Sequence, residues 1–126
     1  MSRRAKAKIT FTQQAADDLN EIYEYSIERW SKRTADKYIS DIDAAVQRIQ
    51  DNPDLLVELP DLHVALRFYH LNKHILICDV DGTSIVVLTV ASTYRDIPRL
   101  LAYLQPRLGQ EVDILHKRAR HPKRTK

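Results

Sequence analysis

The sequence predicts an α+β domain of order β-α-α-β-β-β, with a helical hairpin packed on an antiparallel sheet and a short C-terminal helix. Two stretches between residues 13 and 52 repeat apolar residues every three or four positions, the helical period. Three strand-like runs between residues 65 and 91 follow, separated by two-residue turn signals. A length of 126 residues fits one domain with one core.

Ile9-Thr10-Phe11 predicts a short first strand, and Thr12 is placed to cap the helix that follows. That helix is expected from Gln13 to Trp30, with Ala16, Leu19, Ile22, Tyr23, Ile27 and Trp30 on its apolar face. Asp17, Asp18, Glu21, Glu24 and Glu28 make its other faces acidic. Ser31-Lys32-Arg33-Thr34 breaks the pattern, and Ala35, Tyr38, Ile39, Ile42, Ala45, Val46 and Ile49 define a second helix that Asn52-Pro53 ends. So short a linker makes the pair antiparallel, and their shared apolar face needs a flat surface to cover.

Residues 53–63 read as a loop because of Pro53, Pro60 and their acids. The strands run from Ala65 to Leu71, His74 to Val80 and Ser84 to Ala91, with Asn72-Lys73 and Asp81-Gly82 as hairpin connections. Ile85-Val86-Val87-Leu88 is apolar on both sides of the pleat, which predicts a central strand with both faces covered or near an interface. Pro98 opens a last helix, Arg99 to Leu104, packing through Leu100, Leu101 and Leu104. Residues 1–104 thus form the domain and 105–126 a basic extension, with a marginal helix through Val112, Ile114, Leu115 and Ala119 and a disordered end from His121.

The net charge of +3 conceals a division, since residues 1–8 carry four Lys/Arg and residues 116–126 carry six, with no acid in either segment. The intervening residues hold ten cations against all seventeen acids. An acidic body suits a cationic partner, whereas the basic ends suit either a polyanion or plain solvation. No apolar run of ~18 residues and no signal-type segment is present, so a cytoplasmic protein without membrane contact is expected. The lone Cys78 lies in an apolar strand and reads as a packed side chain.

The joint order of several short strings resembles the ParE branch of the RelE/ParE toxin superfamily, over roughly Ile9 to Leu104. The strings are Ala15, Asp18, Leu19, Ile22 and Tyr23 in the first helix, Trp30 at its end, Ala35 with Tyr38, and Asn52-Pro53. They continue with Leu66-Arg67-x-Tyr69, Lys73-His74-Ile75-x-Ile77 and Arg95-Asp96-Ile97-Pro98. Ser92-Thr93-Tyr94-Arg95-Asp96 departs from the His-Gly-x-Arg-Asp of many ParE-like chains, and Asn72 stands for a usual glycine that it can replace in the left-handed region.

The resemblance implies the toxin half of a type II toxin-antitoxin module, arresting growth by binding and poisoning DNA gyrase and neutralised by a cognate antitoxin. The alternative, which RelE-like relatives in the same superfamily imply, is an endonuclease that cuts messenger RNA in the ribosome. An antitoxin segment would lie beside the sheet and hairpin, where Glu21, Glu24 and Asp43 suit a peptide with basic residues.

For RNA cleavage a base must activate the 2′-hydroxyl, cations must stabilise the transition state and an acid must protonate the leaving oxygen. Arg67, His74, Tyr94 and Arg95 are the candidates, with no catalytic set established. Arg67, Tyr69, Lys73 and Arg95 are the candidates for partner contact. Arg67 can equally bridge to an acid, Tyr69 can finish the core, and Asp96 can cap the last helix. Tyr23, Trp30 and Tyr38 read as core. Scattered histidines and only two glycines predict no metal, cofactor or phosphate loop. A nucleic-acid-binding module driven by the basic ends, and a non-toxic family member, remain further readings.

Overall fold

A computed structural model describes residues 6–58 and 66–120, in the order β1 (Lys8–Phe11), α1 (Gln13–Arg29), α2 (Lys32–Asp51), β2 (Leu66–Leu71), β3 (His74–Asp81), β4 (Ser84–Ser92) and α3 (Ile97–Arg120). The expected strand start at Ala65, the loop beyond residue 58 and the end from His121 lie outside the described residues. The sheet order is β1-β4-β3-β2, with β2, β3 and β4 an antiparallel meander and β1 parallel to β4.

Each start has a local cause. Thr12 accepts from the Ala15 amide at 3.1 Å and caps α1, and Ser31 accepts from the Thr34 amide at 3.1 Å and caps α2 three residues earlier than the sequence suggested. Trp30 is the last residue of the α1 turn, and its amide closes on Ser26. Tyr23 and Lys32 both donate to Asp36, at 2.7 and 2.9 Å, which ties α1 to α2. Pro53–Leu55 form one 3-10 turn, after which Val57 pairs with Phe68 and shields part of the β2 edge, so this segment is not all loop.

Both hairpins have two-residue turns, but the second uses Gly82-Thr83 rather than Asp81-Gly82, because Asp81 still pairs with Ser84. Among the described residues only Asn72 at φ 56° and Gly82 at φ 62° reach the left-handed region, the sign pattern of a type II′ turn, which needs it only at the first position. A register shift near Ile77/Cys78 pairs Cys78 with Val87 and Ile77 with Thr89, so Leu88 is an extra residue in β4. That bulge lets Val87 and Val90, three apart, face the same side.

The sheet is covered on both faces. Ala15, Ile49, Leu19, Ile22 and Val46 of the helical hairpin pack on Leu76, Cys78, Ile85, Val87 and Val90. On the other face Leu100, Leu101, Leu104, Leu108 and Val112 of α3 pack on Phe68, Ile77, Val86 and Leu88. β4 is buried from Ser84 to Ala91, as its two-sided apolar run predicted.

α3 is far longer than Arg99–Leu104. Asp96 Oδ1 accepts from the Arg99 amide at 3.1 Å and caps it, as the sequence suggested. Pro106 removes one helical hydrogen bond, at a cost of about 3 kcal/mol in an isolated helix. Leu101, Leu104, Leu108 and Val112, spaced at three and four, outweigh that cost by burial worth about 1.5–3 kcal/mol each. Arg107 reinforces the weakened turn, giving Nη1 to the Tyr103 carbonyl at 2.8 Å and laying its guanidinium 3.7 Å from the Tyr103 ring centre. The boundary expected at residue 104 therefore falls inside a packed helix.

Candidate functional site

A cleft of about 920 Å³ opens at the end of the sheet where β3 begins and β4 ends. Val90, Ala91 and Ser92 of β4 and His74 of β3 form its floor, while Ile22, Tyr25, Ser26, Arg29 and Trp30 of α1 form one wall. Thr34 and Tyr38 of α2 close the back, and Asn72, Lys73, Tyr94 and Arg95 form the opposite rim. Two reverse turns shape that rim. The Thr93 amide donates to the Lys73 carbonyl at 2.9 Å, and the Tyr94 amide donates to Ser92 Oγ at 3.1 Å.

The floor is held from beneath by Asp18. β1 pairs with β4 only as far as Val87, so the upper edge of β4 lacks a strand partner. Thr12 Oγ1 donates to the Leu88 carbonyl at 2.7 Å, and Asp18 Oδ2 accepts from Thr89 Oγ1 at 2.5 Å and from the Val90 amide at 3.0 Å. Side chains of the first helix thus satisfy backbone that β1 is too short to reach.

At the back, Tyr38 Oη and His74 Nδ1 are 2.6 Å apart with their rings at 53°. Burial lowers the His74 pKa below its ordinary value, which keeps the ring neutral at pH 7. Burial, then the Asp41 charge, raises that of Tyr38. Of the sequence candidates, the cleft gathers Lys73, His74, Tyr94 and Arg95, with Tyr94 86 % exposed. It does not gather Arg67 or Tyr69. Arg67 pairs with Glu58 at 3.1 Å, and Tyr69 joins the hairpin-side core and accepts from Arg48 at 3.2 Å. Of the acids expected to receive a peptide, Glu21 lines the cleft, while Glu24 and Asp43 do not.

Comparison with known proteins fits this architecture. The model of the ParE toxin of type II toxin-antitoxin systems, parDE, matches residues 9–97, from β1 to the first residue of α3. This chain belongs to the ParE toxin family. A chain of the chromosomal ParDE toxin-antitoxin system of P. aeruginosa superposes with a TM-score of 0.61 and 22% identity, over 71% of this chain and 98% of that one. A chain of the RelBE2 toxin-antitoxin complex of Mycobacterium tuberculosis gives a TM-score of 0.51 and 17% identity, over 69% and 98%. No curated protein matches. As a ParE family toxin, this chain carries most of α3 beyond the matched region.

In this ParE family member the cleft also contains residues that the sequence reading left aside or assigned to the core. Tyr25 and Trp30 meet edge to face, ring centres 6.0 Å apart, and each is 57 % exposed. Trp30 is not core, because the buried face of α1 runs through Ala15, Leu19, Ile22 and Ser26 and leaves Ile27 and Trp30 outside. Tyr23 and Tyr38 are only partly buried and hydrogen-bonded at their hydroxyls. The signal for Ser26 as an inward residue was weak, since a serine breaks an apolar stripe.

A second polar cluster lies at the far end of the sheet. His116 of α3 is 4 % exposed, with Nδ1 2.7 Å from Ser84 Oγ and Nε2 2.8 Å from Asp79 Oδ1. These are the residue types of a hydrolase triad, but Ser84 is 2 % exposed and out of reach of substrate. The cluster anchors the helix. Arg120 adds a contact to Asp81 one turn later. Among the described residues no group of His, Cys, Asp and Glu is arranged for a metal, and no helix is long and apolar enough to cross a membrane.

Proposed function

We propose that this toxin arrests growth by binding and poisoning DNA gyrase in the cytoplasm, and that a cognate antitoxin neutralises it by occupying the cleft. The observation that carries the reading is the ParE family match over residues 9–97, in which the cleft has exposed aromatics and cations and, among the described residues, no carboxylate hydrogen-bonded to His74. Such a surface suits contact better than acid-base chemistry, because a general base is normally oriented by a third group. Tyr25, Trp30 and Tyr94 offer rings, and Arg29, Lys73 and Arg95 outnumber Asp18 and Glu21, so apolar anchors flanked by acids fit this groove.

The test is purified toxin incubated with gyrase, ATP and plasmid. Inhibited supercoiling or accumulated cleaved DNA supports the proposal, and neither effect at concentrations where the toxin is folded sinks it. The cleft residues Lys73, His74, Tyr94 and Arg95, together with the fold shared with the RelBE2 chain, favour a second reading as a ribosome-dependent messenger endonuclease. Codon-specific cuts in translated messages, lost in Arg95→Ala, would establish that reading instead.

A further inference from the structure

β1 is an edge strand, and its inner side pairs with β4. The Lys8 amide donates to the Thr83 carbonyl at 2.8 Å, and the Thr12 amide to the Val87 carbonyl at 3.1 Å. Strand alternation therefore turns the backbone groups of Lys8, Thr10 and Thr12 inward and those of Ile9 and Phe11 outward. Among the described residues Ile9 and Phe11 have no backbone partner on that outer side, and both are only partly buried. By contrast Val57 covers β2 at Phe68, and Thr12 and Asp18 serve β4 beyond Val87.

We propose that β1 pairs antiparallel with β1 of a second copy of this chain across a twofold axis, joining two four-stranded sheets into one. The backbone fixes the register. An axis at Ile9 would set Phe11 against the partner's Ala7, whose amide is already given to the Gln50 carbonyl at 3.0 Å. An axis at Phe11 would set Ile9 against the partner's Gln13, whose amide is held by Glu111 Oε2 at 2.8 Å. An axis at Thr10 sets Ile9 against the partner's Phe11 and Phe11 against the partner's Ile9. Each of these pairs exchanges both hydrogen bonds, and no outward group of either residue is left over.

Two side chains agree with that axis. Thr10 Oγ1 is buried without a hydrogen-bond partner among the described residues. At the axis the two Thr10 side chains face each other in a non-hydrogen-bonded pair, where side chains come closest, and rotation about χ1 brings their hydroxyls within reach. Lys8, on the same face of β1, is exposed. The register sets it opposite the partner's Thr12, next to the amide that holds the Glu111 carboxylate. Each copy thus offers a cation to the acid of the other. A short edge strand with a lysine is also a device against pairing. That device works through like charges or an unmatched lysine, and it leaves the Thr10 hydroxyl unmet. None of Lys8 to Thr12 lines the cleft, so pairing through β1 and filling of the cleft are separate events.

A strand of four residues makes a small contact, so association is expected at roughly 10–100 μM. Sedimentation velocity of the purified full chain from about 5 to about 500 μM should show a reversible monomer–dimer equilibrium. Over that range amide hydrogen exchange at Ile9 and Phe11 should slow by about threefold to tenfold, while the Thr10 amide, bonded inward, changes little. Thr10→Lys sets like charges against each other at the axis and should weaken the dimer at least about tenfold. Lys8→Glu should weaken it about tenfold, and Lys8→Glu/Glu111→Lys should restore it. Trp30→Ala, at the cleft, should leave it unchanged. A monomer at every concentration, exchange at Ile9 and Phe11 that ignores concentration, a dimer abolished by Trp30→Ala, or a charge swap no better than Lys8→Glu alone overturns the proposal.

Discussion

The Tyr38 hydroxyl lies 2.6 Å from Nδ1 of His74, joining the second turn of α2 to the first residue of β3 at the back of the cleft. Burial holds the His74 pKa below its ordinary 6.5, so the unfolded chain binds this proton more readily than the folded one. The associated stability is complete above pH 6.5 and is lost as pH falls through the lowered folded value. Urea unfolding at pH 7.5 and 5.5 should show the parent losing more stability than His74→Gln, and equal losses would refute this. Tyr38→Phe should cost about 1 kcal/mol at pH 7.5.

Asp18 replaces a missing strand with a carboxylate. Asp18→Ala leaves the Val90 amide and the Thr89 hydroxyl without their acceptor and should cost about 2–3 kcal/mol by chemical denaturation. Asp18→Asn retains one carbonyl oxygen and should cost less. A neutral Asp18→Ala would show that water serves the β4 edge equally well.

The anchored end of α3 is structural. His116→Phe fills the space but breaks both polar contacts, and should lower stability by about 2–4 kcal/mol, leaving Asp79 and Ser84 unpartnered. Truncation after Leu104 removes Leu108 and Val112 from the core and should abolish cooperative unfolding. A truncated chain with the parent's melting curve would return residues 105–126 to the status of an appendage.

At the cleft rim, Trp30→Ala and Arg95→Ala should relieve growth arrest on induced expression while changing stability by no more than about 0.5–1 kcal/mol, because both side chains are exposed. Arg67→Ala, outside the cleft and paired with Glu58, should leave arrest intact. The reverse pattern would move the working surface to β2.

Burial, with a small contribution from Asp79, pushes the Cys78 thiol up to about 12. A thiol-specific disulfide reagent should therefore label native protein far more slowly than protein in 6 M guanidinium. Rapid native labelling would mean that the sheet opens at Cys78.

Periodicity made the hairpin, the meander and the buried β4 legible, because each has a clean repeat of its own. The length of α3 was hidden by Pro106, whose local cost is visible in sequence while the long-range burial of Leu108 and Val112 is not. The turn at Gly82-Thr83 was displaced one residue because Asp-Gly satisfies the usual turn preference, yet only Gly82 needs the left-handed region. Of the residues singled out in the sequence, Lys73, His74, Tyr94 and Arg95 line the cleft because a strand start and a strand-to-helix corner place them at one end of the sheet. Trp30 was misread because an apolar stripe one residue out of phase looks the same on paper, and Arg67 separated from the others because strand alternation does not say which end of a sheet a residue occupies.

The Asp18 bond to Thr89 spans 71 residues of chain, and Lys8 pairs with Ser84 across 76. During synthesis the hairpin of α1 and α2 leaves the ribosome well before the strand that must lie beneath it, and the cleft has no floor until β4 follows. A toxin built this way has no cleft while it is being made. Translation itself sets an interval in which a partner already in the cell can meet the toxin as soon as its cleft forms.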